Sequence, residues 1–258
     1  MTALHHDLSG PADAPVLVLA GSLGSTLAMW DPQVEALRDR FRVLRLDHRG
    51  HGGSPVPDGP YAIADLAGDT LELLDALGVE RASFCGLSLG GMVGIWLGAH
   101  APQRLSALVL CCTTARMPDV APWGDRIRAV RAEGTASIAD AVVEGWFTPG
   151  WAAAHPDVVA QSVAMIADTS DEGYAACCEA IAEWDGRDLL GRIEAPTLML
   201  AAADDPATPV QPHAETIAAG IAGARLEVLD SAAHLATVER ADAATALIAD
   251  HVAAVVRS

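Results

Sequence analysis

The chain contains no lysine, so all 16 of its basic residues are arginine. Three kinds of site that depend on a lysine amine are therefore excluded: a Walker-type phosphate loop, a Schiff-base centre and a Ser–Lys dyad. Basic residues are also few, because 34 acidic residues give a formal net charge of −18. A surface of this charge repels nucleic acid and anionic membranes, so we expect neither as a partner.

Cysteine is sparse and is arranged in a way that suits neither disulfides nor metal. The five cysteines are Cys85, Cys111, Cys112, Cys177 and Cys178. An odd number with two pairs of direct neighbours fits no disulfide framework and no CxxC metal motif, so we expect reduced thiols. The sequence also lacks a recognisable signal peptide and an apolar stretch of membrane-spanning length. We therefore expect a soluble, cytoplasmic protein.

What the sequence does contain is an alternation of short apolar runs with helical patterns, in a chain that is 51% hydrophobic. Runs rich in Val and Leu are typical of strands buried on both faces, so the alternation predicts a mostly parallel central sheet flanked by helices. Strands are predicted at Val16–Ala20, Arg42–Leu46, Ala82–Cys85, Ala107–Cys111, Thr197–Ala201 and Arg225–Leu229. Helices are predicted near Asp31–Arg40, Ile63–Leu77, Leu89–His100, Ala214–Ile221 and Ala241–Val256.

One interval, residues 118–190, breaks the alternation because it has helical patterns and no convincing strand. It predicts a helical lid over a core made of residues 1–117 and 191–258. Four of the six tryptophans lie in the interval: Trp123, Trp146, Trp151 and Trp184. Ligands of open α/β sheets bind at the carboxyl ends of the strands, which such a lid would cover. The tryptophans could line a pocket there or simply pack the lid onto the core.

A candidate nucleophile lies between a predicted strand and a predicted helix. Gly86-Leu87-Ser88-Leu89-Gly90 matches the G-x-S-x-G nucleophile elbow, in which the serine projects from a sharp, strained turn. Side chains at Gly86 or Gly90 would collide with the neighbouring strand and helix. At a helix N-terminus, Ser88 would also benefit from the helix dipole when negative charge develops. An ordinary glycine-rich turn is the competing interpretation, and the strand–turn–helix context favours the elbow.

A serine nucleophile needs a base and an acid. Of the nine histidines, His234 follows the last predicted strand and precedes the last predicted helix. His100, His155, His213 and His251 lie on or beside predicted helices, where we expect them at the surface. The elbow fold orders its triad Ser, acid, His, which points to the loop after Thr197–Ala201 for the acid. Two carboxylates, Asp204 and Asp205, compete there.

These motifs together resemble the α/β-hydrolase superfamily over nearly the whole chain, and within it the 3-oxoadipate enol-lactonases. The elbow, residues 47–54, residues 205–209 and His234 carry the wider likeness. The finer likeness is carried by Gly21–Ser25, Met29–Gln33, Leu87–Met92, Trp146–Pro149 and Ala233–Leu235.

The resemblance implies roles for individual residues. Related hydrolases have proline four residues after the acid, and Pro209 therefore selects Asp205, with Asp204 as the alternative. One oxyanion donor is implied to be the N–H of Leu89, which follows the nucleophile. Counting back from Trp30, as in related loops, makes Leu23 the second donor and Ser22 the alternative; the family usually has His-Gly where this chain has Gly21-Ser22.

The resemblance also implies the chemistry, which is hydrolysis of 3-oxoadipate enol-lactone with no cofactor and no metal. The partner is then a small lactone or ester that carries a carboxylate, and an arginine suits that group. Among the lid arginines at 116, 126, 128 and 131 we select Arg131, although each could simply solvate a helix face. Trp146 is expected to line the pocket. Competing functions are another carboxylesterase, a perhydrolase, a C–C bond hydrolase or a receptor without turnover.

Overall fold

The computed structural model describes residues 3–256 and is built around a seven-stranded sheet in the order β1-β3-β2-β4-β5-β6-β7. Only β1 among these strands runs antiparallel to its neighbour. The strands are β1 His6–Ser9, β2 Val16–Ala20, β3 Arg42–Leu46, β4 Ala82–Leu87, β5 Leu105–Cys111, β6 Thr197–Ala202 and β7 Arg225–Leu229. The predicted mostly parallel sheet flanked by helices is therefore confirmed, and every predicted strand is present within two residues of its predicted bounds.

The helices occupy the connections between the strands and the end of the chain. They are α1 Asp31–Leu37, α2 Ile63–Ala76, α3 Leu89–His100, α4 Ala121–Glu133, α5 Ala139–Val143, α6 Pro149–Ala154, α7 Pro156–Ala167, α8 Asp171–Ala182, α9 Glu215–Gly220, α10 Ala236–Glu239 and α11 Ala241–Val256. Within residues 3–256, no helix combines the length and the apolar character needed to cross a membrane.

The most deeply buried elements are those that meet at the candidate nucleophile. Every residue of β4 is buried, as expected for a central strand covered on both faces. Ten of the twelve residues of α3 are buried as well, so this helix is apolar all round rather than along one stripe. The turn between β4 and α3 is therefore held by rigid packing on both sides.

The helical interval predicted from the sequence lies between β5 and β6. In the described chain α4 to α8 fill this interval, which we call the insertion (residues 118–190). An isolated antiparallel bridge joins Arg116, just before the insertion, to Asp185, near its end. The division of the chain into core and lid stays a prediction, which this bridge supports.

Candidate active site

Ser88 occupies a strained turn between β4 and α3. Its backbone has φ 55° and ψ −110°, a left-handed region that a residue with a side chain rarely adopts. Two hydrogen bonds hold it there: Ser88 N–H donates to the Cys111 carbonyl at 2.9 Å, and Thr113 Oγ1 donates to the Ser88 carbonyl at 2.6 Å. The end of β5 therefore fixes the position of the serine.

The glycines on either side of Ser88 are required by close backbone approach. A Cβ on Gly86 would lie 2.1 Å from the Gly90 carbonyl oxygen, and a Cβ on Gly90 would lie 2.3 Å from the Ala20 carbonyl oxygen. Both distances are far below van der Waals contact, and both obstacles are backbone atoms that cannot rotate away. The G-x-S-x-G pattern is thus explained by packing at this turn.

A buried histidine–carboxylate pair faces the same region. His234, on the loop after β7, has its Nδ1 2.9 Å from Asp205 Oδ2 and 3.1 Å from Asp205 Oδ1. Both side chains are at least 95% buried. Since an ionised carboxylate only accepts, the hydrogen bond fixes the Nδ1–H tautomer and leaves Nε2 as a proton acceptor.

Asp205 remains ionised despite its burial. Burial by itself raises the pKa of this carboxyl, but His234 and hydrogen bonds from Thr208 outweigh burial and lower the pKa to about 2. Thr208 Oγ1 donates to Oδ2 at 2.6 Å, and the N–H groups of Ala207 and Thr208 donate to Oδ1 at 2.8 and 3.1 Å. Asp204, the alternative acid, is exposed.

The loop after β2 brings backbone N–H groups to the elbow. Gly90 N–H donates to the Gly21 carbonyl at 3.0 Å, which ties this donor loop (residues 21–25) to the start of α3. Ser22 and Leu23 both line the cavity that contains Ser88. Among residues 3–256, the N–H groups of Leu23 and Leu89 have no hydrogen-bond partner in the protein. Both are therefore available to a ligand.

Two buried histidines support the donor loop from behind. His51 Nε2 accepts the Gly24 N–H at 2.9 Å, and His48 Nε2 lies 3.3 Å from the Gly21 carbonyl, to which it must donate. Burial lowers the pKa of both rings, that of His48 to about 3. Both imidazoles are thus neutral at neutral pH and act as fixed hydrogen-bonding supports.

Ser88 and His234 open into one cavity of about 550 Å³ between the sheet and the insertion. Trp123, Met117 and Val142 supply apolar wall, and Trp146 lines the cavity as expected. This size suits a small organic molecule.

A cation and a buried hydroxyl lie together on the wall formed by α4 and α8. Arg126 lines the cavity with its guanidinium carbon 5.0 Å from the Trp123 ring centre, and within the described chain it forms no ion pair. Tyr174 also lines the cavity; within residues 3–256 its buried hydroxyl has no partner at full hydrogen-bond geometry, and the Arg126 side chain lies near it. Burial raises the pKa of Tyr174, and the nearby charge of Arg126 opposes that rise. The Arg126 guanidinium and the Tyr174 hydroxyl could together bind a ligand atom that is negatively charged or accepts hydrogen bonds.

Arg131, which we expected to bind substrate, lies outside the cavity. Its guanidinium donates to Glu172 Oε1 at 2.6 Å and to Glu179 Oε1 at 2.7 Å, so both faces of the fork are occupied by carboxylates of α8. Arg126 and Arg131 are five residues apart on α4, and that spacing turns them to different sides of the helix.

His213, which we expected at the surface, is a further polar residue of the cavity. It is buried on a kinked turn at Val210–Ala214 and lines the same cavity as Ser88. Pro209, four residues earlier in the sequence, lines the cavity too. The only sequence signal for His213 was its position shortly after the loop of the candidate acid.

The loop that carries His234 is fastened to the insertion. The buried carboxylate of Glu239 accepts the Ala233 N–H at 2.9 Å through Oε2, and the Thr148 hydroxyl and N–H through Oε1. Leu235 N–H donates to the Trp146 carbonyl at 2.9 Å. The residues on both sides of the histidine are therefore anchored to the insertion.

Comparison with known proteins agrees with this geometry. A family model described as the alpha/beta hydrolase fold matches residues 14–241. The chain belongs to the α/β-hydrolase family. The hydrolase fold expected from the motifs is thereby confirmed.

Among relatives of this α/β hydrolase, 3-oxoadipate enol-lactonase 2 of Acinetobacter baylyi is 40% identical over 93% of this chain and 90% of that protein. A protein of Variovorax paradoxus named as a carbamate hydrolase, RutD, is 33% identical over 92% of this chain and 91% of that one. The crystal structure of an enol-lactonase from Burkholderia xenovorans superposes with a TM-score of 0.95 at 42% identity, covering 98% of this chain and 97% of that one.

Proposed function

We propose that this hydrolase opens the ring of 3-oxoadipate enol-lactone by a Ser88–His234–Asp205 triad. The observation that carries the proposal is the meeting of three features in one cavity: a strained serine, a histidine held by a buried carboxylate, and an arginine that forms no ion pair with any described residue. The likeness to enol-lactonases over nine-tenths of the chain or more supports the choice of substrate.

The first step is attack on the lactone carbonyl. His234 Nε2 takes the Ser88 proton as Oγ bonds to the carbonyl carbon, and Asp205 stabilises the imidazolium that results. The negative oxygen of the tetrahedral intermediate is held by the N–H groups of Leu89 and Leu23, with Ser22 as the alternative to Leu23. Loss of one such donor typically costs about 3–4 kcal/mol of transition-state stabilisation.

Collapse of the intermediate breaks the bond between the carbonyl carbon and the ring oxygen. His234 returns its proton to that oxygen, so the leaving group is an enol that stays attached to the acyl chain. Water, deprotonated by His234, then attacks the acyl-enzyme and frees Ser88. No metal or cofactor takes part in these steps.

The free carboxylate of this substrate matches the site formed by Arg126 and Tyr174. An arginine fork donates two parallel hydrogen bonds to a carboxylate, and a buried phenol can donate a third. Trp146 and Trp123 supply apolar surface for the carbon skeleton. Binding one end of the substrate in this way would orient the lactone carbonyl toward Ser88.

Hydrolysis of a carbamate is the second candidate, and the 33% identity to the protein named RutD favours it. The triad chemistry would be the same because a carbamate carbonyl is also attacked by serine. The Arg126 site favours the lactone, since the lactone carries a free carboxylate for that cation to bind and a simple carbamate ester carries none.

The experiment is a substrate panel with purified protein: the enol-lactone, simple carboxylate-free esters and a carbamate. Loss of lactone absorbance should be the fastest reaction, and Ser88→Ala should lower turnover by about 10⁶-fold. Ser106→Ala, at a β5 position where the hydroxyl shares a hydrogen bond with Ser83, is a matched control and should leave turnover unchanged. Faster hydrolysis of the carbamate would favour the second candidate function. A fully active Ser88→Ala variant would refute the role of Ser88 as the nucleophile.

A further inference from the structure

His213 lies in the same cavity as the candidate triad but has no part in the chemistry described above. It is carried on the wall that begins at the Asp205 loop, where Pro206, Thr208 and Pro209 also line the cavity. The ring is buried, so its environment fixes its orientation and its protons.

The hydrogen bonds of Thr114 determine which nitrogen of His213 carries the proton. Thr114 Oγ1 lies 2.7 Å from the Arg116 carbonyl, which can only accept, so the single hydroxyl proton is used there. The same oxygen accepts the Arg116 N–H at 3.0 Å and lies 2.7 Å from His213 Nδ1. Since the hydroxyl has no second proton to give, His213 Nδ1–H must be the donor.

This tautomer leaves the Nε2 of His213 as a free base. Among the described residues Nε2 has no hydrogen-bond partner, and the atom is not sealed within the protein. Burial lowers the pKa of this imidazole, although the charge of Asp205 opposes the change. The ring is therefore neutral at neutral pH, with a lone pair available to a ligand in the cavity.

We propose that His213 is a second base of this cavity, which converts the enol released by ring opening into the ketone. The enol proton passes from oxygen to Nε2, and the electron pair of the O–H bond becomes the C=O π bond. The electron pair of the C=C bond takes the proton back from Nε2 at the adjacent carbon. The step is an isomerisation, so it balances without oxidant, reductant or co-reactant.

This inference rests on the proposed lactone opening, because only an enol ester yields an enol. The proton is delivered from one wall of a chiral cavity, so it should reach one face of the double bond. In D2O the carbon that was the ring alkene carbon should then become a CHD centre of a single configuration. Ketonisation in bulk solvent would give both configurations equally.

The test uses His213→Gln, with His100→Gln as the matched control. Glutamine can donate to Thr114 and present its carbonyl to the cavity, so the fold is retained, but an amide is not a base. His100 is exposed and bonds the Trp96 carbonyl. Each variant is given the enol-lactone in D2O; lactone loss is followed by absorbance, and the CHD configuration by deuterium NMR in a chiral oriented solvent.

Wild type and His100→Gln should give one configuration in excess. His213→Gln should give both configurations, with enzymatic ketonisation slower by about 100-fold or more relative to the rate at which the same variant opens the lactone. Thr114→Val, which removes the partner that fixes the tautomer, should lower the excess as well. Racemic product from the wild type, or an undiminished excess in His213→Gln, would overturn the role of His213. A protein that does not open the lactone would instead refute the proposed function.

Discussion

His234 and Asp205 are joined across two loops by a hydrogen bond in which Nδ1 lies 2.9 Å from Oδ2 and 3.1 Å from Oδ1. Asp205→Asn would let the amide donate to Nδ1 and favour the Nε2–H tautomer, which cannot accept the serine proton. We expect kcat to fall by about 10⁴-fold. Asp204→Asn is the matched control, because Asp204 is exposed, and equal small effects of the two changes would show that the acid lies elsewhere.

Arg126→Leu should weaken binding of a substrate that carries a carboxylate. Loss of a charged hydrogen-bonding partner worth about 1.5–3 kcal/mol predicts a fall in kcat/KM of about 10- to 150-fold, mostly through KM. A carboxylate-free ester should be hydrolysed as before. Arg131→Leu is the control, since that side chain is exposed and pairs with Glu172 and Glu179; if it affected kcat/KM as strongly, the carboxylate site would be misassigned.

Glu239→Ala should affect both stability and turnover. The change leaves the Ala233 and Thr148 N–H groups without their acceptor. Each such loss should lower the free energy of unfolding by about 1–3 kcal/mol where the group is buried. Because Ala233 precedes His234, kcat should fall as the imidazole loses its position. Urea unfolding and steady-state kinetics measure the two effects. Glu183→Ala, at an exposed position, should change neither, and normal kcat in a destabilised Glu239→Ala protein would limit the role of Glu239 to stability.

Acid should destabilise the protein through its buried histidines before it reaches the carboxylates. The unfolded chain takes up a proton near pH 6.5 at His48, whereas burial keeps the folded pKa at about 3. Stability from this residue is thus complete above pH 6.5 and is lost as the pH falls toward 3. Between pH 7 and pH 5, protonation of His48 in the unfolded chain should lower the free energy of unfolding by about 2 kcal/mol.

Urea midpoints at the two pH values measure this loss. His48→Gln, which can still donate to the Gly21 carbonyl, should show a smaller difference between pH 7 and pH 5 than the wild type. The remaining difference belongs to His51, His213 and His251, whose pKa values burial also lowers. An identical pH response in His48→Gln would contradict the assignment.

The central strands could be predicted from the sequence because burial on both faces demands continuous runs of Val, Leu and Ala. The edge strand β1 could not, since His6–Ser9 is short, mostly half-buried and polar, and only its pairing with β3 makes it a strand. The missed strand β1 is thus held by hydrogen bonds to the backbone of its neighbour, whereas the correctly predicted strands are held mainly by their buried apolar side chains.

The site divides in the same way. Ser88 and its glycines follow from local turn geometry, which a sequence motif records. The side of α4 that faces the cavity depends on the carboxylates of α8, so the sequence could not separate Arg126 from Arg131. His213 was misjudged for a related reason: a kinked turn, which no helical pattern reveals, turns the ring inward. Tyr174 gave no signal, because only the packing of α4 against α8 places its buried hydroxyl beside Arg126 on the cavity wall.

The hydrogen bond from Gly90 to Gly21 unites the nucleophile turn and the donor loop into one rigid frame attached to buried strands. Trp123, Arg126 and Tyr174, which line another part of the cavity, belong instead to helices of the insertion. Substitutions in α4 and α8 could therefore change which substrate fits the cavity, while the frame that holds Ser88 stays the same. Laboratory evolution toward a new ester or lactone should draw its libraries from α4 and α8 and leave the frame unaltered.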